Sequence, residues 1–343
     1  MMLVRPAAPT DQAALLSLVG GAPRKVHDLP RAAEAMRRAL DRSRASFDET
    51  VTMAGSQSYF MVLEDTDDGN LAGAAMIHAS AGATRPYLAF RYALLPQAGA
   101  DGKTGRPVES LILCRDLSSF SQVGGFAMRD EAHAGAHAAL LSRARLMFAA
   151  MEQHRFADDF FATLPGTCDD AGESPFWNAL GRNYFDMHHI EAQALVDSVR
   201  IFSLIEKKMP DFSASVASLP EAARDALGYS AQGGKPVQHL LKEGFEGGQL
   251  VDFYDGGMIF QSHKRSLRSF VGSIRCTVAP PADAPGPGED TVTYLVSALG
   301  KSGFRALLAD CPPITNSVQV ALPGVVTEAL GVTVGEQILC VEL

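Results

Sequence analysis

One stretch of the sequence joins residue types suited to group transfer. Ser121-Gln-Val-Gly-Gly-Phe-Ala-Met128 reads as a strand interrupted by a glycine pair. A long helix over about 131–153 follows, and its start, Ala134-Gly-Ala-His-Ala138, is small and flexible. Glycine inside a strand marks a bulge or a close backbone approach. Free N–H groups at a helix start hold a pyrophosphate, and small side chains let it come near. A bulged strand alongside opens a cleft and aims an amide at a thioester oxygen. These are the parts of an acyl-CoA N-acyltransferase site, with Gly125 and Met128 on the strand and Ala134, Gly135, Ala136 and His137 at the helix start as candidate contacts. A close-packed strand and helix with small contact residues is the competing reading of the same pattern.

Other chemistry is scarce. The nine histidines are dispersed, and only His188-His189 are adjacent. No HExxH or comparable zinc spacing occurs, so no metal is expected. His133 and His137 lie one helical turn apart and could face a phosphate, or simply a solvated helix end. No GxSxG, phosphate loop or dinucleotide fingerprint is present, which counts against hydrolases of that kind, ATPases and nicotinamide enzymes.

The surrounding elements must position this unit. Thr10 is read as the cap of a helix to about Val19, and a second helix covers about Arg31–Ala45 after Leu29-Pro30. Ser58–Glu64 and Leu71–Ser80 flank the turn Asp65–Asn70 as a hairpin of near-continuous apolar character, which suits the centre of a sheet. Leu88–Leu95 and Glu109–Cys114 are further strands, and Asp159–Leu164 completes a strand–helix–strand crossover with Ser121–Met128. Ser174-Pro-Phe-Trp-Asn-Ala-Leu-Gly181 reads as a capped helix with Pro175 in its first turn. Pro220–Ala226 and Val237–Glu243 are helical, and Leu250–Asp255 is a strand closed by Gly256-Gly257. Residues 279–289, rich in proline and glycine, read as a linker between a body, 1–278, and a tail, 290–343. The tail's short strands suggest a small β-barrel.

Composition narrows the class. The chain has 343 residues, 30 basic against 39 acidic, and a net charge of −9. With no Lys/Arg block to displace counterions, nucleic-acid binding is not expected. No run of about 18 apolar residues occurs, so no membrane span is expected. Met1–Pro6 shows no charged start followed by an apolar segment, so no secretory signal is expected. Five scattered cysteines without a CxxC fit a reduced, cytoplasmic setting better than a disulfide framework.

Gly172-Glu-Ser-Pro-Phe-Trp-Asn-Ala-Leu-Gly-Arg-Asn-Tyr-Phe-Asp-Met187 carries a resemblance. The chain resembles the arginine N-succinyltransferases, in particular the alpha chains of the arginine/ornithine type. Tyr59–Asp65, Pro86–Arg91, Lys242–Phe245 and Val251–Gly257 agree in order and spacing, through about residue 275. The resemblance implies an α+β, N-acetyltransferase-like fold with a mixed sheet, helices and a small C-terminal β-barrel. It implies transfer of succinyl from succinyl-CoA to the α-amine of arginine, or of ornithine, as the opening step of arginine catabolism. Succinyl-CoA enters as co-substrate, with no bound cofactor, and the implied assembly is a homo-oligomer or a heteromer with a related beta chain.

Residue by residue, Phe126 stands where the family's backbone is expected to meet succinyl-CoA. Arg91 and His189 are candidate substrate contacts. The family's acid/base histidine falls at Ser230, within Gly228-Tyr-Ser-Ala231. Serine cannot act as a base near neutral pH. Tyr229 and Ser230 are therefore candidate site-lining residues, Tyr229 as a proton donor to the leaving thiolate, with His239 and His189 as candidate bases. Other family segments differ too, at Leu164-Pro-Gly166 and at Ser213-Ala-Ser215. Two readings stand: a succinyltransferase, or a non-catalytic subunit that keeps the fold and supports a catalytic partner.

Overall fold

The computed structural model describes residues 1–21, 29–96, 106–129, 135–194, 199–209, 212–228, 234–280, 290–314 and 319–343. In chain order it begins with β1 (Met2–Pro6), α1 (Gln12–Gly21), α2 (Ala33–Asp48), β2 (Ser58–Asp65) and β3 (Leu71–His78). Then come β4 (Ala89–Leu95), β5 (Val108–Cys114), β6 (Ser121–Met128), α3 (Ala136–Met151) and β7 (Asp159–Thr163). The helices α4 (Pro175–Ala179), α5 (Gly181–Phe185), α6 (His189–Ala194) and α7 (Val199–Lys208) lead to β8 (Ser213–Ser215), α8 (Glu221–Ala226) and α9 (Gly234–Glu243). Next are β9 (Glu246–Asp252), β10 (Met258–His263), α10 (Arg268–Val271) and β11 (Ile274–Val278). The chain closes with β12 (Val292–Gly300), β13 (Gly303–Cys311), β14 (Gln319–Val320), α11 (Gly324–Leu330) and β15 (Gln337–Glu342).

All described strands join one mixed sheet in the order β14-β11-β15-β12-β13-β1-β2-β3-β6-β7-β10-β9-β4-β5-β8. The hairpin β2–β3 is buried on both faces, as its continuous apolar run requires. One face packs on α1 and α2, where Leu15, Leu18, Met36 and Leu40 meet Phe60, Val62, Ala74 and Met76. The other face packs on α3, where Leu140, Leu141, Ala144 and Met147 meet Tyr59, Met61 and Ile77. The long α3 carries the chain from β6 back to β7, which pairs with it in parallel, so the expected crossover is present. This mixed sheet with its crossover helix is the N-acetyltransferase-like α+β fold that the resemblance implied.

The tail strands are tied into the main sheet. β13 pairs with β1, and β11 pairs with β15 and β14. Among the described residues no pair joins β14 back to β13, so the described strands form an arm of the common sheet and the small barrel is not confirmed. The free edge of β13 is covered by β1 instead. Leu3 from the start of the chain lies in the same apolar cluster as Cys276, Val296, Leu307 and Cys340. Residues 281–289, most of the expected linker, lie outside the described residues. No helix among the described residues is long and apolar enough to cross a membrane.

Candidate active site

The sheet parts at β6 and β7. Their parallel ladder covers only Ser121↔Phe160, Gln122↔Phe161 and Val123↔Ala162. Beyond Val123 the two strands have different partners. β6 stays with β3, but its register shifts between Met76↔Gly124 and Ala74↔Ala127. Gly125 and Phe126 thus have no register partner on either neighbouring strand. Gly125 sits at φ +60°, and a Cβ there would lie 3.0 Å from Met76 Cγ and 3.2 Å from Leu29 Cδ2. Glycine is therefore required for the bulge.

Behind the bulge stands Arg145 of α3. Its Nη1 donates to Gly124 O at 2.8 Å and Met76 O at 3.2 Å, its Nε to Ser142 O and its Nη2 to Ser142 Oγ, both at 3.2 Å. The guanidinium carbon lies 5.6 Å from the centre of the Phe126 ring. The residue is 2% exposed, and burial alone lowers its pKa, to about 9. The fork satisfies carbonyls flanking the break in the ladder. In the sequence Arg145 is marked only as an arginine opening an otherwise apolar helix stretch, Arg145-Leu-Met-Phe-Ala-Ala150.

The other rim is the end of β7. Gly166 N donates to Asp255 Oδ2 at 2.8 Å, and Gly257 N to Asp255 Oδ1 at 2.8 Å. Asp252 Oδ1 accepts from Tyr254 N and Asp255 N. A Cβ on Gly166 would lie 2.3 Å from Asp255 O, and one on Gly257 2.2 Å from Leu164 O, so both glycines allow the close approach. Gly228 N donates to Gly256 O at 2.8 Å. The chain thus enters 229–233 from an anchor on this turn. Tyr229 and Ser230 themselves lie outside the described residues.

The Ser174–Gly181 segment is built for support. Ser174 Oγ caps α4 by accepting from Trp177 N at 3.2 Å. Trp177 is fully buried, stacks on Tyr254 with ring centres 5.6 Å apart, and donates Nε1–H to Met187 O. Phe176 packs edge-on to Phe90, which stacks on Phe253. A Cβ on Gly181 would fall 2.3 Å from the Trp177 ring. These residues brace the Asp252–Gly257 turn from behind.

The remaining candidates divide. Gly135 caps α3 at φ +85°, and Ala136 and His137 follow in its exposed to half-buried first turn, with Ala134 outside the described residues. Among the described residues the helix begins at Ala136. Met128 ends β6, and its Sδ lies where a Cβ on Gly73 would meet it, within the α3-facing core. His189 is 1% exposed, and its Nδ1 lies 2.9 Å from Gly172 O, close to Trp177. Arg91, on β4, pairs with Asp116 in the turn after β5. Four strand spacings separate β4 from β6, roughly 19 Å at about 4.8 Å each. β6 thus carries Gly125, Phe126 and Met128 close together, with Phe126 and Met128 packed against the α3-facing core, while Arg91 lies four strands away on β4 and His189 packs beside Trp177.

His239 is half-buried on α9, where burial, and then Lys242, lower its pKa. α9 is tied to α3 by a buried ion pair, Arg143 Nε to Glu243 Oε2 at 2.9 Å. Glu243 Oε1 also accepts from Ser269 N, and Arg143 Nη1 donates to Glu342 O, so this pair joins α9, α10 and the last strand. Burial raises the Glu243 pKa in spite of Arg143. Among the described residues no group of three metal-ligating side chains converges.

Comparisons with known proteins accord with this geometry. The family model described as "Arginine N-succinyltransferase beta subunit" matches residues 2–269. Arginine N-succinyltransferase subunit alpha of Pseudomonas aeruginosa is 34% identical over 344 residues, covering 98% of this chain and 98% of that protein. Subunit beta of the same organism is 29% identical over 296 residues, covering 86% of this chain and 85% of that one. The solved structure of arginine/ornithine succinyltransferase subunit AI from Pseudomonas aeruginosa superposes with a TM-score of 0.87 at 32% identity, covering 100% of this chain and 98% of that one.

Proposed function

Because the chain belongs to the arginine N-succinyltransferase family, we propose that it moves succinyl from succinyl-CoA to the α-amine of arginine. The observation that supports this reading most is the end of the β6–β7 ladder at Val123, beside a bulge whose Gly125 and Phe126 have no register partner, which the reading takes as the acyl-CoA cleft. In this reading the pantetheine enters between the splayed strands and the pyrophosphate lies on the first turn of α3. Gly125 and Phe126 offer backbone N–H groups to the thioester oxygen, where negative charge develops. The neutral amine attacks the thioester carbon, the C–S bond breaks, and the amine's proton is lost as the CoA thiolate takes one up. An α-amine is mostly protonated at neutral pH, so a base raises the reactive fraction. Ser230 stands where the family resemblance expects that base. Tyr229 is the proposed donor to the thiolate, and water or His239 the proposed acceptor of the amine proton. The proposed setting is the cytoplasm, where acyl-CoA thioesters and free arginine are both present.

A second reading, a non-catalytic subunit, is favoured by Ser230 and by the separate alpha and beta names of the Pseudomonas relatives. CoA release from succinyl-CoA and arginine by the purified chain separates the two. Turnover by the chain alone supports the enzyme. Binding of succinyl-CoA without turnover, restored by adding a beta-type chain, supports the subunit. General acid–base help is worth about 10²–10⁴-fold, so an active chain without its histidine is expected to be slow. Ser230→His is then expected to raise turnover about ten-fold or more.

A further inference from the structure

We propose that Arg145 is a positioning residue for acyl transfer, holding the β6 bulge open and polarising the amide that meets the thioester oxygen. The inference rests on the succinyltransferase reading. It begins from the bond between Arg145 Nη1 and Gly124 O, at 2.8 Å. Gly124 C=O and Gly125 N–H belong to one peptide group. A charged donor on that carbonyl draws electron density from the group and makes the N–H a stronger donor. Gly125 is the bulge residue without a register partner, and its amide is the proposed donor to the ligand.

The second bond of Nη1, to Met76 O, fixes the facing strand at the same point. Nε and Nη2 both return to Ser142, so the guanidinium is held to its own helix while it reaches across two strands. The Phe126 ring covers it, which places residue 126's backbone relative to the cation. Among the described residues no carboxylate pairs with Arg145, in contrast to Arg143 two positions earlier. An uncompensated buried cation is costly to fold. Its field in a low-dielectric site favours negative charge at the bulge, and that charge appears in the transition state. Lowering of its pKa by burial still leaves it charged at neutral pH.

The test compares Arg145→Met and Arg145→Lys with the parent chain. Methionine keeps length and apolar bulk, whereas lysine keeps charge but loses the fork. Bound succinyl-CoA labelled with ¹³C at the thioester carbonyl is read by isotope-edited infrared spectroscopy. The parent is expected to move the carbonyl stretch to lower frequency, and Arg145→Met to lose most of that shift, with Arg145→Lys between them. In turnover, kcat is expected to fall about ten- to a hundred-fold in Arg145→Met, with the arginine KM changed less than two-fold. A carbonyl shift equal to the parent's in both variants would overturn the proposal, as would a rise in KM at unchanged kcat. If Arg145→Met does not fold, the infrared shift of Arg145→Lys decides. Failure of the parent itself to bind succinyl-CoA would instead overturn the succinyltransferase reading on which this one stands.

Discussion

The two rims of the cleft solve opposite electrostatic problems. On the β7 rim, carboxylates from Asp252 and Asp255 accept from the backbone amides of residues 166, 254, 255 and 257. Aromatic rings brace that turn from behind. On the β6 rim, Gly125 and Phe126 have no register partner, and the charged group behind them is a cation. The carboxylates satisfy the β7 turn, and in the reading proposed above the β6 bulge receives the anion. The sequence segments that most mark the family, around Trp177 and Asp255, thus belong to the supporting rim. A motif's specificity and its role in the chemistry are separate properties.

The largest way to break this comparison is Asp255→Ala. It leaves Gly166 N and Gly257 N without their acceptor in a buried turn, and a loss on the order of 4 kcal/mol is expected from urea unfolding. A loss below about 1 kcal/mol would mean that the turn is not what holds the β7 rim. Gly125→Ala probes the other rim and is expected to cost about 1–3 kcal/mol, through its positive φ and the contact with Met76. Its kcat is expected to fall further than the folded fraction does. Equal losses of stability and turnover would erase the distinction between the rims.

A smaller effect concerns pH. The folded state lowers the His239 pKa, so it binds fewer protons than the unfolded chain near that value. The contribution is present above about pH 6.5 and is lost as pH falls through the folded pKa. His239→Gln is expected to flatten that part of the stability–pH curve, and an unchanged slope would remove the argument from burial. The smallest expected effect is from cutting the chain. We propose a boundary near 279–289, where limited proteolysis should cleave. Because β13 pairs with β1 and β11 with β15, the two fragments are expected to co-elute. Separation of the fragments would show that these pairings do not hold the tail.

What the sequence determined by itself was local and periodic. The apolar runs of β2 and β3, the Ser174 cap with Pro175, and the strand–helix–strand order around residues 121–163 follow from patterns that neighbours in the chain impose. The double glycine announced a bulge at the right place because a positive φ needs glycine wherever it occurs. The tertiary structure decided the rest. Whether a tail closes or joins a sheet depends on which distant edge it meets, here β1, some 300 residues earlier. Arg91 has suitable chemistry as a residue, but strand order places β4 four spacings from β6. Arg143 and Arg145 are chemically identical and two residues apart. Only packing gives one a carboxylate on α9 and the other the carbonyls at the bulge, because a helix turns successive side chains toward different neighbours.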